Sequence, residues 1–322
     1  MTRRFAWLHD LVKGKGDRPA PLDKSLESVG QLGAHLRSVA AAATTGRGTL
    51  AVGTGTEIQA AKQAAAAQPP VLAALLGALA EDSAGLVAGG ARSHLNNLWT
   101  SEILPFCREA IQGRYPFDKG SARDTTLADF GQLFGPGGLL ETFFKTNLAP
   151  LADTSRRQWR WVNADLGIPA SVLTQFQRAA TIRDAFFAAG AKAPAVEFAL
   201  TPTSLDARAT QFTLDLGGQI LDYRHGPMKA QVLKWPAPDG LGQVRLMFAG
   251  VDGKTPGQTE EGSWAWFRVL DRAKLQPTGQ PELFRVTFAL GGLSAAFDLR
   301  AMSVRNPYQL DELRGFACPE RL

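Results

Sequence analysis

The sequence predicts an α+β multidomain protein, with an N-terminal α-helical domain over residues 1–193 and a C-terminal antiparallel β-sandwich-like domain over residues 194–322. Three observations predict it. Apolar residues in the first part step by three and four, as Leu22, Leu26, Val29, Leu32, Leu36 and Val39 do, which places them on one helix face. After Gly190-Ala191-Lys192-Ala193-Pro194 the period falls to two: Val196, Phe198, Leu200; Phe212, Leu214, Leu216; Val244, Leu246, Phe248; Phe284, Val286, Phe288, Leu290. Gly217-Gly218 and Gly291-Gly292 sit where tight hairpins require positive φ, so the strands read as an antiparallel meander or sandwich.

The helices follow in order. After the one at Leu22 to Val39 comes an Ala-rich stretch, broken by Thr44-Thr45-Gly46-Arg47-Gly48 and Gly53-Thr54-Gly55. Pro69-Pro70 then opens a helix carrying Val71, Leu72, Leu75, Leu76 and Leu79. A third is predicted from Ser93 to Gln112, with Leu95, Leu98, Trp99, Ile103 and Phe106 on one face and Gly113 as its stop. A short helix starts near Thr126 with Leu127, Phe130, Leu133 and Phe134; Gly135-Pro136-Gly137-Gly138 interrupts it before Leu139, Leu140, Phe143, Phe144 and Leu148 resume the period. Helices are expected again over 155–165 and, after Pro169, over 170–189. Within the β part, a helix from Trp264 to Arg272 and a short one from Leu310 to Arg314 decorate the sheets. Trp264 and Phe267 fall three apart and are placed inward, which leaves Trp266 as the more exposed ring.

Composition narrows the function. With 322 residues, 45% hydrophobic, the chain can bury a sizeable core. No run of 18 apolar residues exists, and Met-Thr-Arg-Arg-Phe-Ala-Trp-Leu-His-Asp lacks the apolar core of a signal peptide, so the chain reads as cytosolic or as a piece of a longer protein. The net charge of +5 is dispersed among acids, and nucleic acid is not an expected partner. The one basic-aromatic cluster, Arg156-Arg157-Gln158-Trp159-Arg160-Trp161, reads as a helix that packs its Trp and solvates its Arg.

No motif carries catalysis or a cofactor. Gly46 to Gly55 lacks phosphate-loop spacing. Cys107 and Cys318 have no Cys or His at ligand spacing, and His9, His35 and His94 share no short spacing, so no metal is expected. In an oxidising compartment the two cysteines could pair; in a cytosol they would be buried thiols. His225 with Asp222 suggests a general base, and a hydrolase would add Ser263 as nucleophile. On a strand their odd spacing turns them to opposite faces, so His225 reads as a turn or packing residue. Arg268 and Asp271 read as a surface pair, and Glu260-Glu261 as a solvated loop tip.

Two blocks of residues resemble a family. The first holds Cys107, Gly113-Arg114-Tyr115-Pro116-Phe117, Asp129-Phe130, Phe134, Gly135-Pro136-Gly137-Gly138 and Phe143-Phe144. The second holds Gly218-Gln219, Tyr223, His225-Gly226-Pro227, Trp235-Pro236, Gly262-Ser263-Trp264, Phe267-Arg268, Asn306-Pro307 and Phe316-Ala317-Cys318-Pro319. Ile182-Arg183-Asp184-Ala185-Phe186-Phe187 bridges them. Their order resembles the C-terminal periplasmic region of the TssM/IcmF family of bacterial type VI secretion systems.

The resemblance implies a non-enzymatic structural part of an inner-membrane protein in a Gram-negative bacterium, lying in the periplasm and not itself membrane-spanning. It implies a TssJ-like outer-membrane lipoprotein bound by the β-domain, a TssL-like inner-membrane protein reached through the part of the full-length protein outside this chain, and other copies of the same family member. No cofactor is implied. Candidate partner-binding residues are Trp235, Pro236, Trp266, Asn306, Pro307 and Tyr308. Pro307 should end the last strand and turn the tail back on the helices, where Cys318 is a candidate to bond Cys107. The alternative is a carbohydrate- or peptidoglycan-binding module, resting on the Trp content of the β-domain.

Overall fold

The computed structural model describes residues 70–322 other than 163–166, 188–190, 239, 241, 304, 309 and 310, together with scattered positions between 12 and 66. The predicted helix at 22–39, the glycine connection at 46–55, His9 and His35 lie outside the described residues, apart from isolated positions of that helix.

Helix α1 (Pro70–Leu98) runs through a π-helical turn, Trp99–Ile103, into α2 (Leu104–Ile111). The two helices expected here are therefore one run. Pro105 explains the wide turn: it has no N–H for the preceding carbonyls, and Leu104 N–H bonds Trp99 O instead. The run stops where expected, at Gly113, whose φ is 61°. Thr126 caps α3 (Leu127–Phe134) by accepting from Asp129 N–H at 3.0 Å, and α4 (Leu139–Phe143) follows the glycine break.

Of the helix expected over 155–165, the described part, 155–162, is not helical. Instead β1 (Ala152–Asp153) pairs with β2 (Arg160–Trp161). Asp153 accepts hydrogen bonds from the backbone N–H and hydroxyl of Ser155, holding a turn that competes with helix, and Gln177 accepts Trp159 N–H at 3.1 Å. Gln177 lies on α5 (Ala170–Phe186), the last helix of this part.

The β part is a two-layer antiparallel sandwich. Its strands are β3 (Val196–Leu205), β4 (Ala209–Leu216), β5 (Gln219–Tyr223), β6 (Gln231–Trp235), β7 (Gln243–Gly250), β8 (Gly257–Glu261), β9 (Lys274–Pro277), β10 (Leu283–Leu290) and β11 (Leu293–Ala301). One sheet has the order β6-β3-β11-β10-β9 and the other β5-β4-β7-β8. Alternate residues face inward, and Phe212 of one sheet meets Phe297 and Phe288 of the other at 5.0 and 5.6 Å between ring centroids. Both glycine pairs make two-residue hairpins, with φ of 53° and 84° at Gly217 and Gly218, and 60° and 80° at Gly291 and Gly292.

One side of the sandwich is closed by side chains. The Gln219 amide donates to Lys234 O at 2.8 Å and accepts Lys234 N–H at 2.8 Å, while Gln231 Nε2 donates to Ile220 O at 2.7 Å. Gln219 thus pairs with the β6 backbone as a strand residue would, satisfying polar groups that an open edge leaves free.

Helix α6 (Ala265–Arg272) lies between β8 and β9 in the chain, and α7 (Asp311–Gly315) precedes the tail. Glu260 is not on a solvated tip: it sits on β8, 9% exposed, and accepts from Arg272 at 2.7 Å and from Gln258 at 3.0 Å. A single apolar core runs from Leu95 and Trp99 on the helices through Trp264 to Phe297 in the sandwich.

Replacing Gly292 by Ala tests the hairpin geometry. No atom obstructs the added methyl, so the cost is backbone strain alone, about 1–2 kcal/mol in urea unfolding. A cost near zero would rule out the left-handed turn.

Candidate functional site

The residues expected to meet a partner converge, but on the interior. Trp235 lies 4.7 Å from Trp264 and 4.9 Å from Phe267, and its Nε1 donates to Ser263 O at 2.9 Å. Trp266 is fully buried, stacked on Phe198 at 4.9 Å with 7° between the rings. Tyr308 is buried beside Phe198 and Phe267, with its hydroxyl 3.5 Å from Trp266 Nε1. Pro307 is buried, and Asn306 closes the turn by accepting Tyr308 N–H at 2.9 Å and donating to Pro281 O at 2.8 Å. Only Pro236 and Asn306 of the six keep partial exposure.

The placement of Trp266 outward is thus corrected. Each helical residue turns about 100°, so Trp266, two positions on from Trp264, points about 160° away from it. Both directions are covered, however: Trp264 meets Phe130 and Phe186 of the helical layer, and Trp266 meets the sheet. The sequence carried that signal in Ala265, Trp266, Phe267, Val269 and Leu270, which are apolar around most of the helix and all buried. A sugar platform needs an exposed ring face, and Trp235, Trp264 and Trp266 offer none.

The joint between helices and sandwich has a polar lock that the sequence did not disclose. Trp264 Nε1 donates to Thr125 O at 2.8 Å and Trp264 N–H to Asp124 Oδ2 at 3.2 Å. Arg268 pairs with Asp124 and donates to Ser121 O at 2.9 Å, and its guanidinium lies 4.1 Å over the Tyr115 ring. Asp271 accepts from Tyr115 Oη at 2.9 Å and pairs with Arg314 and, at 3.7 Å, with Lys119. Arg268 and Asp271 are therefore not a local surface pair; each reaches another part of the fold. Burial, then the Asp271 carboxylate, push the Tyr115 hydroxyl well above its ordinary range, so it remains a donor. Gly262 faces Asp124 with φ 106°, and any Cβ there would collide with the carboxylate.

A second fastening is the tail. Phe316 packs edge-on against Phe134 at 5.0 Å, and Trp99 Nε1 donates to Pro319 O at 2.6 Å. Asn96 accepts Leu322 N–H at 2.7 Å and, with Arg92, donates to Leu322 O at 3.1 Å. Between these contacts the sulfurs of Cys107 and Cys318 are bonded, with Cα atoms 6.1 Å apart.

The residues of a possible hydrolase are not brought together. His225 Nε2 lies 2.7 Å from Ala209 O, whereas Asp222 is bound by Gln211, Thr213 and Arg224. Among the described residues, neither bonds the other or Ser263, and no group of three His, Cys, Asp or Glu could hold a metal. No helix of the described residues is long and apolar enough to cross a membrane.

Comparison with known proteins gives consistent matches. Residues 90–192 match the sequence model of the type VI secretion protein IcmF helical domain, and residues 198–303 that of the IcmF C2-like domain. Over 331 aligned residues the chain is 40% identical to the type VI secretion system component TssM1 of Pseudomonas aeruginosa; the match takes in 100% of this chain and 30% of the relative. The chain thus spans less than a third of that relative's length. The fold is shared with the T6SS protein TssM C-terminal domain from EAEC, with TM-score 0.65 and 23% identity over 72% of this chain and 98% of the other. It is shared too with a chain of a type VI secretion system membrane core complex, with TM-score 0.78 and 20% identity over 98% of this chain and 69% of the other.

Two substitutions test the joint. Trp266→Ala should cost about 3–5 kcal/mol in chemical denaturation, as a buried aromatic does, where a surface ring would cost under ~0.5 kcal/mol. The Asp124 and Arg268 side chains are each 16% exposed, so Asp124→Ala should cost on the order of 3 kcal/mol by stranding Arg268. An unchanged unfolding midpoint would show that the lock contributes nothing.

Proposed function

The chain belongs to the TssM/IcmF family of type VI secretion proteins, over its C-terminal region, and from that premise we propose that it is a non-enzymatic structural part of a secretion-system membrane core. In this reading it lies in the periplasm, with residues 1–193 and 194–322 as its helical and β domains. The β-sandwich binds a TssJ-like outer-membrane lipoprotein through its loops and edges. The helices meet other copies, and a TssL-like partner is reached through the part of the protein outside this chain.

The observation that best supports a structural role is the joint. Trp264, Asp124, Arg268, Tyr115 and Asp271 tie the sandwich to the helices by a connected set of bonds beside a shared core. A binding module on a free linker would have no use for such a fixed angle. The polar groups converge on structural partners, which favours a scaffold over a catalyst. In the same reading, the Cys107–Cys318 bond forms in the oxidising periplasm and holds the tail.

The partner assignment is tested by calorimetric titration of the whole chain with the soluble part of the cognate TssJ-like lipoprotein. Micromolar or tighter binding is expected; absence of heat with a folded chain would sink it. For the tail, alkylation of unreduced periplasmic protein should label no thiol. With a sequence separation of 211 residues, the double Cys107→Ala/Cys318→Ala variant should lose up to about 5 kcal/mol on the chain-entropy argument. Two labelled thiols in the unreduced protein would overturn the bond.

A further inference from the structure

The end of the sandwich opposite Trp235 and Trp264 carries a different kind of surface. The loops 206–208, 224–230 and 251–256 meet there with the Gly291-Gly292 hairpin, and hydrogen bonds cross-link them. Arg208 donates to Gly292 O at 2.7 Å, Val251 N–H to Arg208 O at 2.8 Å, and the His225 ring lies 2.7 Å from Ala209 O. The surface is preformed.

Its charges are sorted by depth. Asp206 and Asp252 turn back to accept the backbone N–H of Arg208 at 2.9 Å and of Lys254 at 3.1 Å. The Asp206 and Asp222 side chains are 17% and 35% exposed, while their partners Arg208 and Arg224 are 67% and 65% exposed. Asp252 is 54% exposed but paired at 3.0 Å with Lys254, which is 83% exposed. Lys229 is exposed as well. The outermost charges are therefore cationic even though acids stand beside them in sequence. Met228, next to Lys229 in the chain, and Val251, whose N–H bonds Arg208 O, are 59% and 66% exposed.

We propose that this end of the sandwich docks on an anionic lipid surface, with Met228 and Val251 entering the interfacial layer and Arg208, Arg224, Lys229 and Lys254 meeting headgroup phosphates. A protein partner would call for a contiguous desolvated centre with aromatic anchors, and among the described residues this end exposes Met228 and Val251 as its large apolar side chains and no aromatic ring. A lipid interface accepts separate apolar tips flanked by cations. The inference stands apart from the lipoprotein reading and does not need it.

The test is flotation of the whole chain with vesicles of phosphatidylcholine alone and of phosphatidylcholine mixed with phosphatidylglycerol. Binding is expected only to the mixed vesicles and should weaken as salt is added. Two double variants, Met228→Ser/Lys229→Ala and Val251→Ser/Lys254→Ala, should each lower partitioning about tenfold, because each removes an inserted side chain and a cation. Both alter exposed side chains, and an unchanged unfolding midpoint checks their folding. Met302→Ser, an exposed apolar side chain elsewhere, should leave binding intact. The proposal falls if the mixed vesicles do not bind, if the double variants bind as the parent does, or if Met302→Ser loses binding equally. It also falls if the double variants lose only the lipoprotein titration, which would assign this end to a protein.

Discussion

Trp264 stands where the helical layer meets the sandwich, and the architecture depends on both ends of its indole being satisfied. Its ring lies among Phe130, Phe186, Trp235 and Phe267, while its Nε1 reaches the Thr125 carbonyl. An apolar contact alone would let the two layers slide; a directional bond inside that contact fixes their register. From it follows the burial of α6 on both sides, and from that the conversion of Trp266 and Tyr308 from surface candidates into core.

The two ends of the sandwich divide the chemistry. Near the helices, charges are enclosed and saturated: Asp124 and Asp271 each serve several donors, and Tyr115 is held protonated by burial and by Asp271. At the far end the carboxylates cap their own turns and the cations face outward. Similar residue types thus have opposite uses, decided by whether a second layer covers them. The laced side at Gln219 and Gln231 removes one route by which a stray strand could pair.

What the sequence disclosed was local. The hairpin glycines, the helix start near Thr126 and the Gly113 stop each need only neighbouring residues to set their geometry, and all three stand where the pattern placed them. The alternating strands were equally legible, since period two is a property of one segment. Residues 155–162 misled because Asp153 and Gln177, outside their own period, decide their shape. Arg268 and Asp271 misled for the same reason: their spacing fits a helix pair, but their partners lie on elements far away in the chain. Candidate contact residues fared worst, because an aromatic at a turn is read alike whether it is a surface anchor or a core wedge.

The Cys107–Cys318 crosslink has a mechanical meaning. Tension applied between a point before Cys107 and a point after Cys318 passes through the sulfur bridge, and the span between them, a sequence separation of 211, is left slack. The lock at Asp124 and the whole sandwich lie within that span. With the bridge closed, pulling on the chain cannot peel the strands apart in sequence. A stretched protein would yield first outside the loop, and the sandwich would be carried along as an unstrained passenger.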